Sequence, residues 1–85
     1  MQYFLFVFPN THSAIAAQKH LEGKVRFSVM PTLREISNSC GISLRIKEPD
    51  FKTSKNILEQ AEDIESFRIF DVVSEKGKTS AEEIL

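Results

Sequence analysis

Val29-Met30-Pro31-Thr32-Leu33-Arg34-Glu35-Ile36-Ser37-Asn38-Ser39-Cys40-Gly41-Ile42 decides the fold. Val29 and Ile42 end and begin apolar runs that alternate with polar residues, the pattern of half-exposed strands. Pro31 stops the first run. The stretch between them is too short for a full crossover helix, which a parallel return of the chain requires. The two strands are therefore expected to run antiparallel. Thr32 followed by Glu35 fits a capping box, so a short helical turn is expected over residues 33–38.

Working outward, residues 3–8 are aromatic and β-branched and stop at Pro9-Asn10. They read as a central strand with both faces covered or nearly so. Asn10 or Thr11 can cap a helix running to about Leu21, with Gly23 ending it. Val25, Phe27 and Val29 mark a second strand, and Ile42, Leu44 and Ile46 a third. Pro49-Asp50 opens a second helix with an apolar stripe of Phe51, Ile57, Leu58, Ala61 and Ile64. Residues 67–72 alternate as a fourth strand. The order predicts an α+β, ferredoxin-like βαββαβ fold, a four-stranded antiparallel sheet with two helices on one face. Residues 1–73 are expected to form one domain. Residues 74–85 read as a polar, flexible tail in which Ser80 and Glu83 could cap a final helical turn.

Eighty-five residues make one small domain. A formal net charge of −1 gives no global field to draw in nucleic acid or an anionic membrane. No apolar run approaches the roughly 20 residues of a membrane span. The apolar start has no charged segment before it and no small-residue cleavage site after it, so a first strand is expected rather than a signal peptide. A single cysteine forms no internal disulfide, and a free thiol suits a reducing compartment; the expected location is cytoplasmic.

Strands one and two should point the same way, which brings the loops after them to one sheet edge. Cys40 would then lie near Thr11 and His12 at the start of helix one. Free amides at a helix N-terminus favour anions and lower a thiol's pKa. Arg34 would add positive charge, Ser37, Ser39 and Thr11 could donate to sulfur, and Gly41 either leaves room for an approaching molecule or supplies an unusual backbone angle. Against this, a lone cysteine is often a small inert hydrophobe. A helical turn over residues 33–38 would also bring its negative end close to Cys40.

His12 is either the partner of a Cys-His pair or a solvated first-turn residue. His20 is expected at the surface. One cysteine and two scattered histidines lack the spacing of a metal site, and neither a metal nor a cofactor is expected. Gly77-Lys78-Thr79 lacks the earlier glycine of a phosphate loop. Glu59, Glu62, Asp63 and Glu65 read as a solvated charge run.

The sheet face without helices is expected to be open. It would present either Phe4, Phe6 and Phe8 or Tyr3, Leu5 and Val7, with Phe70, Arg26, Arg45 and Lys47 nearby. Aromatics flanked by cations can stack single-stranded RNA, but the motif that accompanies this on such sheets is missing. Nucleic acid is not the expected partner; a homodimer through this face is the simpler alternative.

Residues 4–12, Phe4-Leu5-Phe6-Val7-Phe8-Pro9-Asn10-Thr11-His12, and 31–45, from Pro31-Thr32-Leu33-Arg34-Glu35 through Ser39-Cys40-Gly41 to Arg45, carry a resemblance. They resemble a bacterial family of unknown function described as selenium/sulfur (Se/S) carrier protein-like. Its pattern is an aromatic strand ending in Pro-Ser-Thr-His, then Pro-Thr-Pro-Arg-Glu-Ile-Ser-Ser-Ser-Cys-Gly and an apolar strand. The similarity covers about residues 3–71. Leu33 replaces the family's usual proline, Asn38 a serine and Ile46 an aromatic residue; none of these touches the cysteine. The resemblance implies a carrier that holds sulfur or selenium on Cys40 as a persulfide or selenenylsulfide. Arg34, Ser37, Ser39, Gly41 and His12 would surround it, and donor and acceptor proteins would be its partners. It implies a shuttle rather than a stand-alone enzyme.

Overall fold

The computed structural model describes residues 2–31, 42–64 and 66–84. In chain order the elements are β1 (Gln2–Val7), α1 (Thr11–Leu21), β2 (Ser28–Pro31), β3 (Ile42–Ile46), α2 (Glu48–Glu59), β4 (Arg68–Glu75) and β5 (Lys78–Glu83). Among the described residues they make an α+β fold: two helices and one five-stranded sheet of order β2-β3-β1-β4-β5. Every pairing in it is antiparallel. The expected β2–β3 return of the chain is therefore present, with Pro31 opposite Ile42 and Ser28 opposite Arg45.

The strand count corrects the sequence reading, which expected four. Lys78–Glu83 is not the helical turn of a polar tail but an edge strand on β4. The connection is a two-residue turn, Lys76-Gly77, with φ of 49° and 80°. Both central residues at positive φ match the type I′ hairpin turn, whose twist suits the flanking strands. Only Ala81 of β5 packs against the apolar residues beneath it. The strand is also held by its ladder with β4, by the bidentate pair from Arg68 to Glu83 at 3.0 and 2.8 Å, and by the Thr79 hydroxyl donating to the Ser74 hydroxyl at 3.5 Å. A strand with one apolar position carries no alternation to read.

β1 resolves its own ambiguity. Phe4, Phe6 and Phe8 point toward the helices, where they join Ala14, Ala17, Leu21, Leu44, Ile46, Leu58 and Ile69 in the main core. Phe51 of α2 stacks on Phe4 with centroids 4.0 Å apart, and Phe67 stacks on Phe6 at 5.8 Å. Such offset ring pairs add to the burial term. Tyr3, Leu5 and Val7 point the other way and form a second cluster with Phe70 and Val72. This second face was expected to be open. At its centre it is not: Leu5 and Val72 are 0% exposed. Met30 and Ala81 pack against the cluster, and the Arg45 and Arg68 guanidinium groups lie over the Tyr3 and Phe70 rings at 5.5 and 5.0 Å.

Two element boundaries moved. β2 begins at Ser28 rather than near Val25, and Val25 and Phe27 reach the core from the connection before it. α2 ends at Glu59, yet Ala61 and Ile64 still pack on the core from the following loop. Apolar spacing reports burial, and a loop can satisfy it as well as a helix can.

Candidate functional site

The described elements that flank the site expected from sequence are α1 and the facing ends of β2 and β3. Asn10, not Thr11, caps α1. Its backbone is extended, its side-chain oxygen accepts from the Ser13 N–H at 2.8 Å, and its carbonyl accepts from the Ala14 N–H at 3.2 Å. The Thr11 and His12 N–H groups are left outside the helix's own ladder. No acidic residue stands in the first turn, while Lys19 and His20 stand in the last. The positive end of the helix dipole is thus not offset by its own side chains. Thr11 and His12 are both exposed. His12 makes no hydrogen bond or ion pair with another described residue.

The sheet register brings the two residues that flank the cysteine-bearing segment to this end. The chain leaves β2 at Pro31 and enters β3 at Ile42, and those two residues are partners. Val7 pairs with Ser43, so continuing the register by one residue sets Phe8 beside Ile42. Adjacent strands are about 4.8 Å apart. Pro9, Asn10 and the start of α1 follow Phe8 directly. Cys40, Arg34, Ser37, Ser39 and Gly41, together with the expected turn over residues 33–38, lie outside the described residues. Of the expected site, the structure describes Thr11 and His12 and the strand ends that bracket the rest.

Sequence reasoning missed one pair close to α1. His20 Nε2 donates to Asp63 Oδ1 at 2.7 Å, joining the end of α1 to the loop after α2. That hydrogen bond holds the Asp63 carboxyl below the usual range, and the charge of His12 acts weakly in the same direction. The two residues are 43 apart in the chain. No local spacing could have revealed them, and Asp63 had been read as part of a solvated acidic run. Among the described residues, no three His, Asp or Glu side chains converge as a metal site would require. Gly77-Lys78-Thr79 forms the turn and first rungs of the β4–β5 hairpin, so no helix follows it.

With the frame in place, the family can be stated. Residues 3–70 match the model of a family described as putative Se/S carrier protein-like. The chain belongs to that family. The Se/S carrier-like match runs from Tyr3 in β1 to Phe70 in β4 and takes in Cys40. β5 lies beyond it. No curated protein and no solved structure matches the chain. Among the described residues, neither helix of this Se/S carrier-like chain is long and apolar enough to cross a membrane.

Proposed function

We propose that this protein carries sulfur or selenium on Cys40. The observation that supports the reading is membership of the Se/S carrier-like family over a span that contains the chain's single cysteine. The frame of the site agrees with it. The segment bearing Cys40 departs and returns at the sheet edge next to an α1 N-terminus with no acidic residue in its first turn. A thiolate near such an end gains stabilisation that the neutral thiol does not.

The transfer is an exchange at sulfur. The Cys40 thiolate attacks the terminal sulfur of a donor's persulfide. The donor's S–S bond breaks, its own sulfur leaves as a thiolate, and Cys40 becomes the persulfide Cys–S–SH. Electrons balance without an added oxidant. Passing the sulfur to an acceptor thiolate reverses the roles. Donor and acceptor proteins are the partners this chemistry requires, and a reducing compartment such as the cytoplasm suits it.

We also read the first four strands and both helices as a ferredoxin-like unit extended by β5. The supporting observation is the strand order β2-β3-β1-β4 with α1 and α2 packed on the Phe4, Phe6, Phe8 face.

Incubation with a cysteine desulfurase and cysteine in reductant-free buffer, followed by intact-mass measurement, tests the carrier. A gain of one sulfur that is absent in Cys40→Ala supports it. No gain in either protein sinks it and leaves the alternative, a non-catalytic interaction module, dimeric through the helix-free face, in which Cys40 is structural. Sedimentation of the same samples reads that dimer directly.

A further inference from the structure

At the other end of β3 from the cysteine segment lies a cavity of about 490 Å³, lined by Arg26, Phe27, Ser28, Arg45, Lys47, Pro49 and Asp50. Its charges gather where β2 begins and β3 ends. Ser28 pairs with Arg45, Arg26 stands two residues before β2, and Lys47 directly follows β3 as the residue before α2. Three cations thus line one cavity at the point where the β2–β3 pair meets the start of α2. The lining holds one carboxylate, Asp50, whose Oδ2 accepts from the Arg26 backbone N–H at 3.4 Å. None of the three cations is ion-paired with a described carboxylate, whereas Arg68 on the same sheet is paired with Glu83. In a chain of net charge −1, three cations to one carboxylate in this lining is a local excess of positive charge.

We propose that this cavity binds a phosphate group carried by a small molecule, at a site separate from the Cys40 thiol. The guanidinium forks of Arg26, in the connection before β2, and of Arg45, in β3, together with the Lys47 ammonium can each meet a different oxygen of a phosphate. The volume falls in the range of about 300–1,000 Å³ usual for small-molecule sites. The phosphate comes either as a free inorganic anion or on an organic body, and Phe27 and Pro49 on the wall leave room for the second.

A titration followed by amide chemical shifts tests this at low ionic strength, with pyrophosphate, a nucleoside triphosphate and a short single-stranded oligonucleotide as separate probes. Saturating shifts at Arg26 to Ser28 and at Arg45 to Asp50, with a Kd below about 1 mM for pyrophosphate or the nucleotide, are expected. Similar affinities assign the recognition to the phosphate alone; a tighter nucleotide assigns part of it to the organic body. Arg45→Gln should weaken binding about tenfold or more. Because Arg45 also covers Tyr3, the double variant Arg26→Gln/Lys47→Gln on the exposed rim gives the deciding comparison, with the same loss expected. Lys76→Gln/Lys78→Gln at the distant hairpin should bind as the unaltered protein does. Absence of saturation with both small probes, equal loss in the hairpin variant, or saturation by the oligonucleotide alone overturns the proposal.

Discussion

Pro31 and Ile42 face each other across the β2–β3 pair, so the segment that carries the only cysteine leaves and rejoins the sheet at a single level. That level is the end of β1, from which Asn10 starts α1. The carrier reading draws its electrostatic prediction from this relationship. Alkylation of Cys40 by iodoacetamide should show a pH midpoint below the free-thiol value of about 8.5. His12→Glu puts a carboxylate in the first turn of α1 and should move the midpoint up, while Lys19→Glu in the last turn should move it less. Equal midpoints in all three proteins would remove α1 from the account.

The phenylalanine row sets the stability of the helical face. Phe6 is fully buried and meets both Phe51 and Phe67, at 6.0 and 5.8 Å. Phe6→Ala should cost about 3–5 kcal/mol in denaturant unfolding. Val29, half exposed on edge strand β2, should lose under about 0.5 kcal/mol on change to Thr. A small effect at Phe6 would mean that the ring is not at the centre of the core.

The hairpin turn makes an opposite pair of predictions. Lys76 has φ of 49°, a region that asparagine and glycine enter more readily. Lys76→Asn should therefore stabilise by about 0.5–1 kcal/mol. At Gly77, φ of 80°, alanine should destabilise by about 1 kcal/mol although no atom obstructs its methyl group. Thermal midpoints of the two variants should move in opposite directions.

Acid should loosen β5 first. Glu83 has its pKa lowered by the hydrogen bonds from Arg68, and Asp63 has its own lowered by His20. A carboxyl with a depressed folded pKa contributes stability above its unfolded value, about 4. That contribution is lost as pH falls through the folded pKa. Glu83→Gln should be less stable than the unaltered protein at pH 7 and converge with it near pH 2. Both pairs are solvent-exposed, so added salt should shrink the difference. A gap that persists at low pH would assign the effect to packing.

Ser54 is fully buried in α2, and its hydroxyl finds no partner among the described residues. Ser54→Ala removes an unsatisfied group and raises helix propensity. It should keep or raise stability, by up to about 1 kcal/mol, in a denaturant midpoint. A clear loss would reveal a hydrogen bond made by that hydroxyl.

Much of this molecule was legible in one dimension because its signals are local. Pro9-Asn10, Gly23 and Pro49 punctuate the chain where the elements change. The short span from Val29 to Ile42 forced an antiparallel return, and the cysteine with its flanking hydroxyls marked the candidate site and carried the family resemblance. What needed the tertiary structure was whatever depends on partners distant in the chain. β5 is a strand because β4 offers its edge and Lys76-Gly77 turns the chain back onto it, not because its own residues alternate. Alternation showed that β1 has two faces, but only packing against Phe51 and Phe67 assigned the phenylalanines to the helical side. The His20–Asp63 and Arg68–Glu83 pairs exist because strand register and helix packing bring charges together that the chain keeps apart; the nearness of Arg26, Arg45 and Lys47 was expected from the strand order, but the cavity they share with Pro49 and Asp50 was not. Sequence specifies the local conformations and the chemistry of each side chain; which charges meet is decided when the sheet closes its register and the helices pack on it.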